Sequence, residues 1–343
     1  MEEVFSIVLV IIGALVGAGF TSGQEIYSFF YSYGSIGIIG IIITCCLISL
    51  MVHKSLKIIY SNKINSYDEF LNIFIKNEKI TKAISVVINI LLLVTFYIMV
   101  AGFGAYFEQE IGLKRIIGSS ILVIMVTIVF FTSVKGVMKV SEYIVPLLII
   151  FIIIIGGTNL LTINSNAEVL CIKKGWLLSC VIYCSYNIIL LIPVLISIRK
   201  QITKKENIKY ISILCGIFMI IMSLMLYVLL MRANVELASL EMPIVYVIRN
   251  FFKSFKTIYA FIILMSIFTT AISIGIGLLQ NISNDRRRYT QSVIFMCITS
   301  LIVSNFGFSK LVNLMYPFFG YIGIIQLIYI INKKILQKIG DMI

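Results

Sequence analysis

The residues best equipped for chemistry fall in one short stretch, Gly17-Ala18-Gly19-Phe20-Thr21-Ser22-Gly23-Gln24-Glu25, after an unbroken apolar run from Val4 to Val16. Three glycines and two hydroxyls in seven residues make a poor continuous helix. Gly costs about 1 kcal/mol per helical position, and Ser and Thr compete for backbone partners. A break at mid-membrane depth bares N–H and C=O groups that hydrocarbon cannot satisfy. It is tolerated only where protein buries it or a polar cavity lines it, and there it makes an ion or substrate site. Glu25, one to two turns further on, adds a carboxylate whose place in a helix centre costs about 2.5–3.5 kcal/mol. Its functional roles would be cation binding or proton carriage. Its structural alternatives are to cap the second half-helix or to reach the interface. Close helix packing is the competing account of Gly13, Gly17 and Gly19, but Thr21 to Glu25 hold more polar groups than packing requires.

Three further groups invite chemistry. Ser266, Thr269 and Thr270 stand at i, i+3 and i+4, so their hydroxyls share one helix face. With two carbonyls from a broken helix they would form an oxygen cage for a small hard cation; the alternative is that they bond back to their own helix. Tyr97 precedes Ala101-Gly102-Phe103-Gly104-Ala105, a run that permits close helix approach, and its ring would either cover a substrate or simply pack. Cys184-Ser185-Tyr186-Asn187 sits at the centre of a later apolar run with Pro193 beyond it, which predicts a second break. Asn89, Asn187 and Asn313 also lie within apolar runs, and Asn187 stands out because it occupies that second break.

These groups need elements to hold them. The chain has 343 residues, 60% hydrophobic and 13% charged, whereas soluble domains run near 45–50% apolar and about 25% charged. The apolar runs are too long for membrane strands, so the expectation is an all-α integral membrane protein. Ten spans can be read, near 4–31 (broken), 35–59, 82–107, 116–133, 141–162, 176–198, 208–231, 257–280, 289–305 and 310–332. The polar loop 61–81 predicts a short surface helix, and 233–254 predicts a loop helix across the outer mouth. Met1-Glu2-Glu3 is acidic where a secretory leader would be basic, so the first run reads as a span.

The formal charge of +13 does not point to nucleic acid, because the basic residues form short clusters between spans. With the N-terminus inside, the loops 54–82, 135–139, 199–209, 286–288 and 333–338 hold 19 of the 28 Lys and Arg. Both termini are therefore expected in the cytoplasm. Seven cysteines show no CxxC spacing, and Cys45, Cys46, Cys180, Cys184, Cys215 and Cys297 fall inside apolar runs, so neither a disulfide framework nor a metal cluster is expected. His53, the one histidine, reads as interfacial. With no HExxH or GxSxG arrangement and no paired aspartates within spans, an enzyme is not expected. Ten spans divide as five plus five, an odd number that inverts the second half, so span 1 should correspond to span 6 and both should be broken.

The stretches GALVGAGFTSGQEIYSFF (13–30), YIMVAGFGAYFE (97–108), VSEYIVPLLI (140–149), YCSYNIILLIPVL (183–195) and FTTAISIGIGLL (268–279) resemble the YkvI-like family of bacterial membrane proteins. That family is regarded as part of the amino acid–polyamine–organocation (APC) superfamily, and the resemblance covers nearly the whole chain. It implies one transmembrane domain of LeuT type: two inverted five-helix repeats, about 4–162 and 176–332, with helices 1 and 6 broken. It implies a secondary transporter in the bacterial plasma membrane, moving an amino acid or related amine without a cofactor and driven by Na⁺ or H⁺. The alternative is a non-transporting sensor of the same fold, similar to the membrane subunits of spore germinant receptors. By resemblance, Na⁺ would bind the carbonyls of Gly13, Val16 and Ser266 and the hydroxyls of Thr269 and Thr270. Phe20 stands where a second sodium site has Asn, so that site is not expected. The substrate would contact Gly17, Ala18, Gly19, Phe20, Thr21, Ser22, Tyr97, Ser185, Tyr186 and Asn187, with Glu25 as the proton carrier. Beyond the lipid bilayer and a small solute, the residues indicate no partner and no oligomeric state.

Overall fold

The computed structural model describes residues 2–75, 77–132, 135–162, 173–233, 236–282 and 286–332. Its helices are α1 Glu2–Leu15, α2 Ala18–Thr21, α3 Gln24–Phe29, α4 Ile36–Ser61, α5 Tyr67–Asn72, α6 Glu78–Tyr106 and α7 Arg115–Thr132. There follow α8 Lys135–Thr162, α9 Trp176–Ser197, α10 Asn207–Leu230, α11 Pro243–Phe251, α12 Lys256–Ile282, α13 Arg286–Ser304 and α14 Phe308–Ile331. Among the described residues, six helical segments are long and apolar enough to cross a bilayer: Ile36–Ser61, Glu78–Ile111, Trp176–Gln201, Asn207–Leu230, Lys253–Leu279 and Phe308–Ile331. Shorter apolar helices cover Glu3–Leu15, Arg115–Phe131 and Ile144–Leu160. The chain is an all-helical, multi-pass membrane protein.

The expected break in the first span is present, since α1, α2 and α3 are three separate pieces. The expected break in the sixth is not. Trp176–Ser197 is one uninterrupted helix that runs through Cys184-Ser185-Tyr186-Asn187 and Pro193. The reason is local. α9 contains no glycine, and its polar side chains bond to their own helix: Ser185 Oγ donates to the Val181 carbonyl at 2.6 Å, and Asn187 Nδ2 to the Tyr183 carbonyl at 2.9 Å. Such back-bonds bend a helix at most.

α9 is the most enclosed of the six long segments and is flanked by α4 and α14. α14 lies almost backbone to backbone on it. A Cβ at Gly320 would fall 2.5 Å from the Ile182 carbonyl oxygen, and one at Gly323 would fall 2.5 Å from that of Ser185. On the face where α1 begins, the Thr203 amide and hydroxyl donate to the Glu3 carboxylate at 2.9 and 2.7 Å. The basic segment 333–338, counted above for orientation, lies outside the described residues, as does part of the loop before α11.

The two interior loops do carry helices. α5 is capped by Ser66, whose hydroxyl accepts the Glu69 amide at 3.1 Å. α11 begins on Pro243 and packs over α3. At the same end of the bundle Arg115 reaches Glu108 and, at 2.8 Å, Glu241; Glu241 in turn accepts the Ser309 amide at 2.7 Å.

Candidate functional site: the broken first span and Glu25

Gly17 leaves the helical region at φ −89°, ψ −166°, which ends α1 and lets α2 start afresh. Six residues later Gly23 adopts φ +81°, a left-handed conformation that separates α2 from α3. No other residue type suits position 23, since a Cβ there would also lie 2.4 Å from Ile244 Cγ1.

The carbonyls bared by the break find protein partners. Val16 O accepts Ser266 Oγ at 3.4 Å, Thr21 O accepts the Tyr259 hydroxyl, and Ser22 O accepts the Ile244 amide at 2.9 Å. Within the break, Thr21 Oγ1 donates to Gly17 O at 3.0 Å and Ser22 Oγ to Gly19 O at 3.1 Å. These carbonyls are thus paired by α11, α12 and the hydroxyls of the break itself, as buried backbone groups require.

Glu25 lies beneath this turn, only 2% exposed. Its carboxylate accepts the Tyr183 hydroxyl at 3.0 Å and the Tyr186 hydroxyl, both from α9. It also folds back toward the break, where the Phe20 N–H is directed at it. A Cβ on Gly19 would fall 2.3 Å from Glu25 Oε1, so this glycine makes room for the carboxylate. Among the described residues no Lys, Arg or His forms an ion pair with Glu25. Phe29 and Tyr316 pack on the Tyr183 and Tyr186 rings, Phe29 edge-on to Tyr183 at 5.0 Å and Tyr316 stacked on Tyr186 at 4.7 Å.

The other expected residues divide. Gly13 packs on α8, where a Cβ would meet Val145 Cγ2 at 2.8 Å. Gly17 is roomier: Met99 Cε and Thr270 Cγ2 are each 3.8 Å from its would-be Cβ, so Thr270 does stand beside the break. Thr269 Oγ1 donates to the carbonyls of Met265 at 3.0 Å and Ser266 at 3.2 Å. Thr269 therefore shows the back-bonding of the structural alternative, whereas Ser266 bonds across to Val16 at the end of α1; the hydroxyl lone pairs of both are still able to face a cation. Ala18 and Phe20 are fully buried in α2. Tyr97 turns its hydroxyl to Thr299 of α13, at 2.6 Å, and Ser185 and Asn187 are occupied within α9. Of the α9 residues expected at the site, Tyr186 alone reaches the broken span.

Sequence reasoning missed Tyr183, Tyr259, Ile244 and Tyr316. Tyr183 and Tyr186 stand three apart, so they share a helix face opposite a buried carboxylate; that spacing was the available signal. Asn313, noted but not singled out, accepts Gln24 Nε2 at 3.3 Å and Ser28 Oγ at 2.5 Å.

Fold and site define a multi-pass helical membrane protein with a discontinuous span and a buried carboxylate. No family model matches the chain. It is 31% identical over 339 residues, 95% of this chain and 94% of the relative, to the Bacillus subtilis (strain 168) "Uncharacterized membrane protein YkvI". It is also 24% identical over 334 residues, 96% of each chain, to "Uncharacterized protein YyaD" of the same organism. The chain belongs to the YkvI family.

Proposed function

We propose that this protein is a secondary transporter of a small polar solute, an amino acid or related amine, working by alternating access in the bacterial plasma membrane. Its ten spans form two inverted five-helix repeats of the LeuT type, about 4–162 and 176–332, with both termini cytoplasmic and no catalytic activity. The single observation that carries this reading is the interrupted first span with Glu25 buried beneath it and held by two phenols, with no cationic partner among the described residues. An intramembrane carboxylate without a cationic partner is a functional hypothesis by default.

Coupling to H⁺ through Glu25 is the first route, because the residue can carry a proton while its phenol partners reorganise around it. Coupling to Na⁺ is the second, supported by Ser266 and Thr270 standing at the end of α1. Either ion moved across 100 mV supplies about 2.3 kcal/mol, enough for roughly 50-fold accumulation. Counterflow of radiolabelled solutes into proteoliposomes under each gradient tests the reading. Solute movement under neither gradient overturns it, and saturable binding without flux assigns the sensor class instead.

A further inference from the structure

Away from the broken span, a groove of about 470 Å³ runs between α4 and α10. Its floor is made of small residues. Ser49 Oγ donates to the Ser212 carbonyl at 2.7 Å, and a Cβ on Gly216 would fall 2.9 Å from that of Ser49, so the two helices nearly touch there. Its walls are the exposed side chains of Leu50, Ile213 and Ile217. From Lys209 to Ile220 it extends about 16 Å along α10, at about 1.5 Å per residue. An apolar slot of that length on the outside of a membrane bundle has the shape of a fatty acyl chain.

One end of the slot is polar and basic. Lys209 lines it from the first turn of α10, where that span begins, and forms no ion pair among the described residues. His53 lines it from α4, and Ser212 links the two: its hydroxyl donates to the Lys209 carbonyl at 2.9 Å and lies 3.4 Å from His53 Nδ1. Lys57, also exposed, follows His53 by one turn on the same face of α4. Among the described residues that line the groove, none carries a carboxylate. Glu3, at the same end of the bundle, is engaged by Thr203 and Asn207. A lysine where an apolar slot meets water is placed for a lipid phosphate. A zwitterionic headgroup would bring its own ammonium beside Lys209 and Lys57, and that like charge disfavours it.

We infer that this groove binds one anionic glycerophospholipid, its acyl chain between α4 and α10 and its phosphate on Lys209 and His53. The assignment requires only that the chain spans a membrane, and it is independent of what the protein transports.

Native mass spectrometry of the detergent-purified protein, titrated with phosphatidylglycerol, phosphatidylcholine or inorganic phosphate, tests it. The expected result is one saturable phosphatidylglycerol adduct, at least about fivefold tighter than phosphatidylcholine and not displaced by phosphate at matched concentration. Lys209→Gln should weaken it about fivefold and Lys209→Glu about 30-fold. Cys46→Trp, at an exposed lining position two turns from His53, should weaken it by filling the slot, which separates a seated lipid from diffuse attraction. Lys200→Gln, an exposed lysine outside the groove, should leave it unchanged. Equal affinity for the two lipids, displacement by phosphate, a loss in Lys200→Gln as large as in Lys209→Gln, or unchanged binding in both Lys209→Glu and Cys46→Trp overturns the inference. A lipid-free dimer that Cys46→Trp dissociates overturns it too, and assigns the groove to a second copy of the chain.

Discussion

The Tyr183 hydroxyl donates to the Glu25 carboxylate at 3.0 Å, across 158 positions of the chain. One bond thereby joins the interrupted first span to the unbroken α9, and Tyr186 doubles it one turn later. Any motion of α2 and α3 relative to α9 must break, keep or re-form these two contacts. That makes the protonation or ligand state of Glu25 a natural determinant of which arrangement is stable.

Glu25→Gln is expected to abolish proton-driven uptake while leaving any sodium-driven uptake intact. Uptake into proteoliposomes under an imposed pH gradient, with and without Na⁺, is the measurement. Unchanged proton dependence removes Glu25 from coupling. Tyr183→Phe deletes one donor to a charged group and should lower stability by about 1.5–3 kcal/mol, read as a fall in Tm.

Gly19→Ala should mimic the loss of Glu25, because its methyl would press on Oε1 from 2.3 Å and on Cγ from 2.8 Å. Overpacking of this kind typically costs about 1–3 kcal/mol. Gly17→Ala is the matched control, with 3.8 Å to its nearest neighbours and a negative φ. If both variants transport alike, Gly19 is not reserved for the carboxylate.

Gly23→Ala meets two obstacles: a left-handed φ of +81° and Ile244 Cγ1 at 2.4 Å. The conformation alone costs roughly 1–2 kcal/mol. Adding Ile244→Ala should recover the steric part and leave the conformational part, which a double-mutant cycle on Tm can separate. Additive losses would show that α11 does not press on the break.

Thr270→Val keeps the side-chain volume beside Gly17 but removes an oxygen. Should Na⁺ drive transport, this variant and Thr269→Val will each raise the sodium concentration for half-maximal uptake at least about tenfold. An unaltered sodium response in both eliminates the α1–α12 cation site and leaves Glu25 as the coupling group.

Much of the fold was legible in the residues. The helical membrane class followed from run length and composition, and the first break from the cluster Gly17, Gly19 and Gly23, of which Gly23 takes the left-handed conformation that selects glycine. The second break was misread. Ser185, Asn187 and Pro193 are also compatible with a continuous helix whose side chains bond to the preceding turn, and composition cannot separate the two. Tyr97 meets a related limit: its position on α6 was readable, but the direction of its hydroxyl depends on α13, which supplies Thr299.

The sequence by itself determined that the chain crosses a membrane as helices, where the first crossing is interrupted, and that a carboxylate follows the interruption. These are local consequences of hydrophobic run length, backbone permissiveness and charge. Only the tertiary structure decided what that carboxylate touches. Tyr183 and Tyr186 reach Glu25 because α9 stays whole, and Tyr316 stacks on Tyr186 because Gly320 and Gly323 draw α14 onto α9. These pairings join residues 130 or more positions apart, and periodicity along one helix carries no information about the helix packed across from it.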